Sequence, residues 1–205
     1  MKRFLIVLFL LFPSLWSCAT TLPSPYSSQQ NTRTREPSLK EMLQAGPALV
    51  QASAAEETLY RLIMDYRKSK GLPSIPLSKS LTYVAKLHVR DLDTHAFAPP
   101  ANKHSWSGDG PWKSVNYTPD HAQAQLMWDK PSELTRYQGS GFEIATTQPG
   151  GATAQNALTS WKASKLHNAV MVNANVWETI SWQAIGVGIY RDHAVVWFGR
   201  DVDPE

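Results

Sequence analysis

The chain has 205 residues, 42% of them hydrophobic, with 20 Lys and Arg against 17 Asp and Glu and a formal net charge of +3. That length suits one domain with a real core, and with no Lys/Arg cluster or aromatic-basic interleaving the composition argues against a nucleic-acid partner. A single cysteine, Cys18, excludes an internal disulfide.

The chain opens with Lys2 and Arg3, followed by an apolar run from Phe4 to Phe12. The run is too short to span a bilayer, which takes about 20 residues, so residues 1–17 read as a signal peptide. Its removal also takes away two basic residues and leaves the charges near balance. Leu15-Trp16-Ser17-Cys18 resembles the bacterial lipoprotein box, with Trp16 standing where a small residue is usual. Acylation of Cys18 gives the lone thiol a purpose and anchors the exported chain to a membrane. If the cell is Gram-negative, Ala19 directs the anchor to the outer membrane, since inner-membrane retention goes with Asp at that position. Residues 18–51 are therefore expected to be a lipidated N-terminus and flexible tether. Thr20 to Glu36 is rich in Ser, Thr, Pro, Gln and Asn. Within the tether, Leu39 to Val50 reads equally as a short helix or as more tether.

Residues 52–205 are expected to fold. Leu59, Leu62, Ile63 and Tyr66 recur at spacings of three and four, predicting a helix that Gly71 and Pro73 end. Ser78 is a candidate N-cap for a second helix whose apolar stripe holds Leu81, Val84, Ala85, His88, Val89 and Leu92. Residues 96–140 show no sustained period and read as loops with short elements. A third helix is predicted from about Ala152 to Leu166, burying Ala154, Leu158 and Trp161. Gln183 to Tyr190 and His193 to Gly199 read as strands joined at Arg191-Asp192. Helices first and a hairpin last argue for an α+β fold with helices packed on an antiparallel sheet.

Several segments then resemble, in order, one known family. Leu62 to Pro73, with Tyr66-Arg67 before Gly71-Leu72-Pro73, is similar to the first-helix signature of the cysteine-rich secretory, antigen 5 and pathogenesis-related (CAP or SCP-like) superfamily. Leu81 to Leu92 resembles its second helix, and Gly141 to Ala145 its Gly-Glu-Asn-Ile-Ala box. Trp161, Ser164 and His167-Asn168 resemble the bacterial branch's Trp-x-x-Ser-x-x-His segment, and Gly186-Val187-Gly188 and Val195 to Gly199 its closing strands. The resemblance covers about residues 54–201 and implies a three-layer α-β-α sandwich. It further implies a cleft lined by His104, Glu143 and His167, with His104 and His167 as the histidines through which some members bind a divalent metal such as zinc.

Two departures bear on that cleft. Glu143 follows Gly141 by two places rather than one, a shift that on a regular strand turns a side chain to the other face. Ser164 stands where a second glutamate is expected, and its hydroxyl adds no negative charge. Among the other histidines, His88 reads as a core or supporting residue, His95 as a helix-end cap, and His121 and His193 as loop or turn residues. Trp161, Trp182 and Trp197 are expected to pack inside rather than to stack sugars.

These features favour a binding role for an envelope-anchored domain, its ligand left open among small molecules, lipids, peptides and envelope material. The alternative is a metal-assisted or His/Glu-dependent hydrolase acting on peptide or envelope substrate, with Glu143 as general base. A nucleophile elbow is missing, since Gln138 precedes Gly139-Ser140-Gly141, and so is a His-Glu-x-x-His helix.

Overall fold

Capping chemistry starts the two long helices of this computed structural model, which describes residues 36–205; the expected signal segment and Cys18 lie outside them. The Ser53 hydroxyl accepts the Glu56 N–H, and the Glu56 carboxylate accepts the Ser53 N–H at 2.7 Å. This reciprocal box opens α2 (Ala54–Ser69). Gly71 follows with φ of 74°, a conformation that costs a side-chain-bearing residue energy. Ser78 caps α3 (Lys79–Thr94) by accepting the Leu81 N–H at 2.9 Å.

Three strands form one antiparallel sheet: β1 (Gly141–Thr147), β2 (Ala184–Tyr190) and β3 (His193–Gly199), in the order β1-β3-β2. Arg191 and Asp192 close the β2–β3 hairpin, as their position between two apolar runs predicts. Register assigns the faces, because side chains alternate along a strand. Glu143, Trp197 and Gly186 lie abreast on one face; Ile144, Val196 and Val187 lie abreast on the other.

The first face carries α3. Two glycines of β2 let the helix backbone come down onto the sheet. A Cβ on Gly186 would fall on the Leu81 carbonyl carbon, and one on Gly188 would lie 2.6 Å from that of Ala85. The second face carries α2, α6 (Ala154–Ala163) and α7 (Lys165–Met171), which bury Leu59, Ile63, Leu158, Trp161 and Met171 against Ile144, Val196 and Phe198. The result is the expected α+β, three-layer α-β-α sandwich.

Two expected boundaries move. The compact unit begins at Pro37, not near residue 52. Leu39–Ala45 is a helix, α1, opened by a Ser38–Glu41 capping box, and a 3₁₀ turn spans Pro47–Leu49. Met42 is buried in the α3-side core, with Leu39, Leu43 and Val50 packed against it. These four apolar side chains give the segment enough to bury, which the polar stretch before it lacks.

The helix expected over 152–166 is interrupted. Ser164 adopts an extended conformation, ends α6, and caps α7 by accepting the His167 N–H. A serine side chain that bonds a backbone amide offers the chain this alternative to continued helix. In the loop-rich stretch, two short helices occur, α4 (Ala124–Trp128) and α5 (Lys130–Leu134), and Trp106 pairs with Val115 in an isolated bridge.

Candidate functional site

The site forms where β1, α3, α7 and the loop carrying His104 meet. Helix α3 delivers His88, which lies fully buried and stacked on Trp106, the rings 4.3 Å apart and 9° from parallel. Asp91, one turn further on, accepts the Ser107 N–H at 2.8 Å and also its hydroxyl, which ties the helix to the loop. Within that loop Asn102 accepts the His104 N–H at 3.0 Å, and the Ser105 hydroxyl accepts the Tyr117 N–H at 3.0 Å. His104 is thus held by its own backbone rather than by packing alone.

Glu143 stands between two imidazoles. Its Oε1 lies 2.7 Å from His104 Nδ1, and its Oε2 meets His88 Nδ1. The other nitrogen of His88, Nε2, lies 2.9 Å from the Ser105 carbonyl. The His88 and Glu143 side chains are wholly enclosed, whereas His104 keeps 20% of its side-chain surface open. On the open side, the His167 ring stands 6.4 Å from that of His104, at 73° to it. Tyr117 meets His104 edge-on at 5.2 Å, and its hydroxyl lies 2.6 Å from His121 Nδ1.

Burial works against charge on Glu143, but the two histidines outweigh it and hold its pKa below the usual carboxylate range. Burial likewise opposes a charged His88; the Glu143 carboxylate and the Ser105 carbonyl prevail and raise its pKa above the ordinary histidine value. For His167 burial wins. With His104 adding to it and Glu143 opposing, its pKa falls to about 4. At neutral pH His167 is therefore an uncharged imidazole.

The structure brings His104, Glu143 and His167 together. Strand β1 is paired without a bulge, and Glu143 faces α3 on it. Ser164 is placed differently: its hydroxyl is directed to the α7 backbone, 3.4 Å from the His167 N, so it supports the helix that carries His167. The role of Glu143 also changes. Its side chain is wholly enclosed and each of its oxygens meets an imidazole, so it is placed to position the two histidines. His88, read as a core or supporting residue, is in direct contact with Glu143. The signal was in the sequence: a histidine within a stripe of Leu81, Val84, Ala85, Val89 and Leu92 must find a polar partner.

The two imidazoles do not fit a shared tetrahedral ion as they stand. A ring nitrogen lies about 1.1 Å from the ring centre and a zinc ion about 2.1 Å beyond it, so two rings on one tetrahedral zinc have centres about 5.2 Å apart. At the observed 6.4 Å the ion would have to lie in line between them. Among the described residues no three His, Cys, Asp or Glu side chains are arranged to hold a metal ion.

The fold and site define an α-β-α sandwich with a buried His–Glu–His junction at its β1 edge. The model of the cysteine-rich secretory protein (CAP) family matches residues 60–194, and the chain belongs to that family despite its single cysteine. Two solved structures are similar. One is a cysteine-rich secretory protein from Staphylococcus aureus, at 15% identity and a TM-score of 0.48, over 75% of this chain and 41% of that one. The other is an extracellular protein containing a SCP domain from Bacillus anthracis, at 17% identity and a TM-score of 0.49, over 79% of this chain and 43% of that one. The chain thus spans about two-fifths of the length of each. No curated protein matches it.

Proposed function

We propose that this chain is an exported, acyl-anchored domain that binds a ligand of the cell envelope at the cleft between His104 and His167. The anchor rests on the apolar leader, the lipoprotein-like Leu15-Trp16-Ser17-Cys18 and the uniqueness of Cys18. One observation carries the binding reading. Glu143 is consumed in holding two histidines, so the open side of the site is a pair of positioned imidazoles. The nearby serines are engaged too: Ser105 takes the Tyr117 N–H and Ser164 caps α7. Such a site recognises more readily than it attacks.

The test is a histidine-resolved NMR titration of the full chain with fractionated envelope extract. Binding should move the His104 and His167 resonances together and vanish in a His104→Ala/His167→Ala double variant. If every fraction leaves both rings unmoved, this cleft is not the binding site. The anchor is tested by lipid labelling, which Cys18→Ser should abolish.

A hydrolase is the second reading, and one observation favours it. His104 donates from Nδ1 to a buried carboxylate, which is how a general-base histidine is oriented toward a water. His104, with Glu143 positioning it, would then be the base. Hydrolysis of an envelope substrate should disappear with His104→Ala and fall sharply with Glu143→Gln. Activity indifferent to both would remove this reading.

A further inference from the structure

The chain treats the two edges of its sheet differently. Main-chain groups alternate in direction along an antiparallel strand, so one observed bond fixes the direction of the others. Gln148 donates its N–H to the Asp192 carbonyl, its opposite residue when the β1–β3 register is continued by one place. Phe142, Ile144 and Thr146 therefore bond β3, while Gly141, Glu143, Ala145 and Thr147 turn their N–H and C=O groups outward. At the far edge, β2 is covered by its own chain. Ile185 donates to the Pro76 carbonyl and accepts from the Ser78 N–H, and the Ile189 N–H donates to Glu56. Nothing equivalent covers β1. Its only strand neighbour is β3, and among the described residues no group bonds the outward main chain of Gly141, Glu143, Ala145 or Thr147.

An uncovered edge is a template for another strand, which proteins ordinarily pair, cover or charge. This one is recessed instead. Glu143 is 8% exposed although its side chain is wholly enclosed, so what it presents to the cleft is its main chain. From Glu143 the edge runs about 14 Å to Thr147. There a cavity of about 620 Å³ opens, lined by Thr147, His193, Asn102 and Lys103, the last two leading directly into His104. The sheet of a second folded copy cannot reach so recessed an edge. A single extended chain can, and its own N–H and C=O groups repeat every two residues at the same spacing of about 6.8 Å. Ala145, between the two ends, is 2% exposed, so the groove has to widen there as such a chain seats.

We infer that the outward edge of β1 takes an extended peptide as an added strand, bonded through its main chain to Glu143 and Thr147. This rests on the binding cleft proposed above and names its ligand as a peptide, recognised by backbone pairing rather than by one side chain.

The experiment titrates the full chain with end-blocked hexapeptides of mixed sequence and reads the backbone amides by NMR. The Glu143 and Thr147 N–H groups should move downfield and exchange more slowly, while the Ile189 N–H, already bonded to Glu56 at the far edge, should stay. Peptides N-methylated at every residue keep their side chains but lose their donors, and should bind roughly a hundredfold more weakly. Equal binding of methylated and unmodified peptides would overturn the added strand. On the protein side, Thr147→Pro removes one outward N–H and spares the bonds to β3. It should weaken the peptide about fivefold with the Ile144 amide unmoved, and unchanged affinity would overturn the pairing at that end. If envelope extract moves the His104 and His167 resonances but the hexapeptides leave the Glu143 amide still, binding at the cleft stands and the peptide assignment falls.

Discussion

The two faces of the sheet are made from the same strands and hold opposite interiors. Beneath α3 the protein buries Lys86, His88, Arg90, Asp91, Lys130 and Glu143 among its apolar side chains. Beneath α2, α6 and α7 it packs a nearly continuous hydrocarbon and indole layer. Two charged side chains of α2 are exceptions: Glu56 accepts from Lys86 and from the Ile189 N–H, and the Arg67 guanidinium donates to the Pro73 and Met171 carbonyls and to Asn173. Glu143 and Ile144 are adjacent in sequence and point into these two worlds. One layer supplies cohesion and the other holds a charged junction in place, so substitution at neighbouring residues should produce different kinds of damage.

The largest effect is expected from Glu143→Ala. Removing one partner of a buried pair leaves the other uncompensated, at a cost of about 3–5 kcal/mol. The urea midpoint should fall, and the imidazole resonances of both His88 and His104 should move. Ile144→Ala should cost a comparable or slightly smaller amount, about 2–5 kcal/mol, through the cavity it leaves. It should nevertheless leave the histidine resonances where they are. Equal perturbation of the histidines by both variants would collapse the contrast between the layers.

Ser164→Ala should cost about 1 kcal/mol, the usual worth of an N-cap. Because α7 is only Lys165–Met171, its first turn should fray, seen as faster amide exchange at His167 with little change elsewhere.

The subtlest prediction concerns pH. His167 titrates near 4 when folded and near 6.5 when unfolded, so between those values the unfolded chain binds the extra proton. Stability should therefore fall as pH drops from about 6.5 toward 4. His88 acts in the opposite sense: its raised pKa gives stability that is present below about 6.5 and lost as pH rises through the folded value. Urea midpoints across pH in wild type and His167→Ala separate the two, since only the acid-side loss should weaken in the variant.

Much of the fold could be read from residues whose local signal agrees with their burial. The stripe Leu59, Leu62, Ile63, Tyr66 gave α2, Ser78 capped α3 as expected, and Arg191-Asp192 closed the hairpin. His95 caps the end of α3, its ring bonded to the Asp91 carbonyl. Trp161, Trp182 and Trp197 are buried. What escaped were features decided by tertiary partners. Leu39 to Val50 is cut by Gly46-Pro47 into pieces too short for a sustained period, so it reads equally as helix or tether until Met42 docks it. Ser164 is an ordinary helix residue until its hydroxyl takes the His167 N–H. His88 looks like a poor core residue because its partner lies 55 positions away. Within the site, the residue types were legible and their division of labour was not.

The paired glycines of β2 have one more consequence. Gly186 and Gly188 are about 6.6 Å apart along the strand, and the α3 backbone seats over them at Leu81–Thr82 and Ala85–Lys86, about 6.0 Å apart along the helix. Two notches meet two matching teeth, so α3 has a single berth on the sheet. A slip of one turn would move His88 about 5.4 Å from Glu143 and leave one of the two notches without its partner. Adjustment of the cleft to an incoming ligand therefore has to come from the loop bearing His104 or from the short helix bearing His167, closing onto an anvil that does not move.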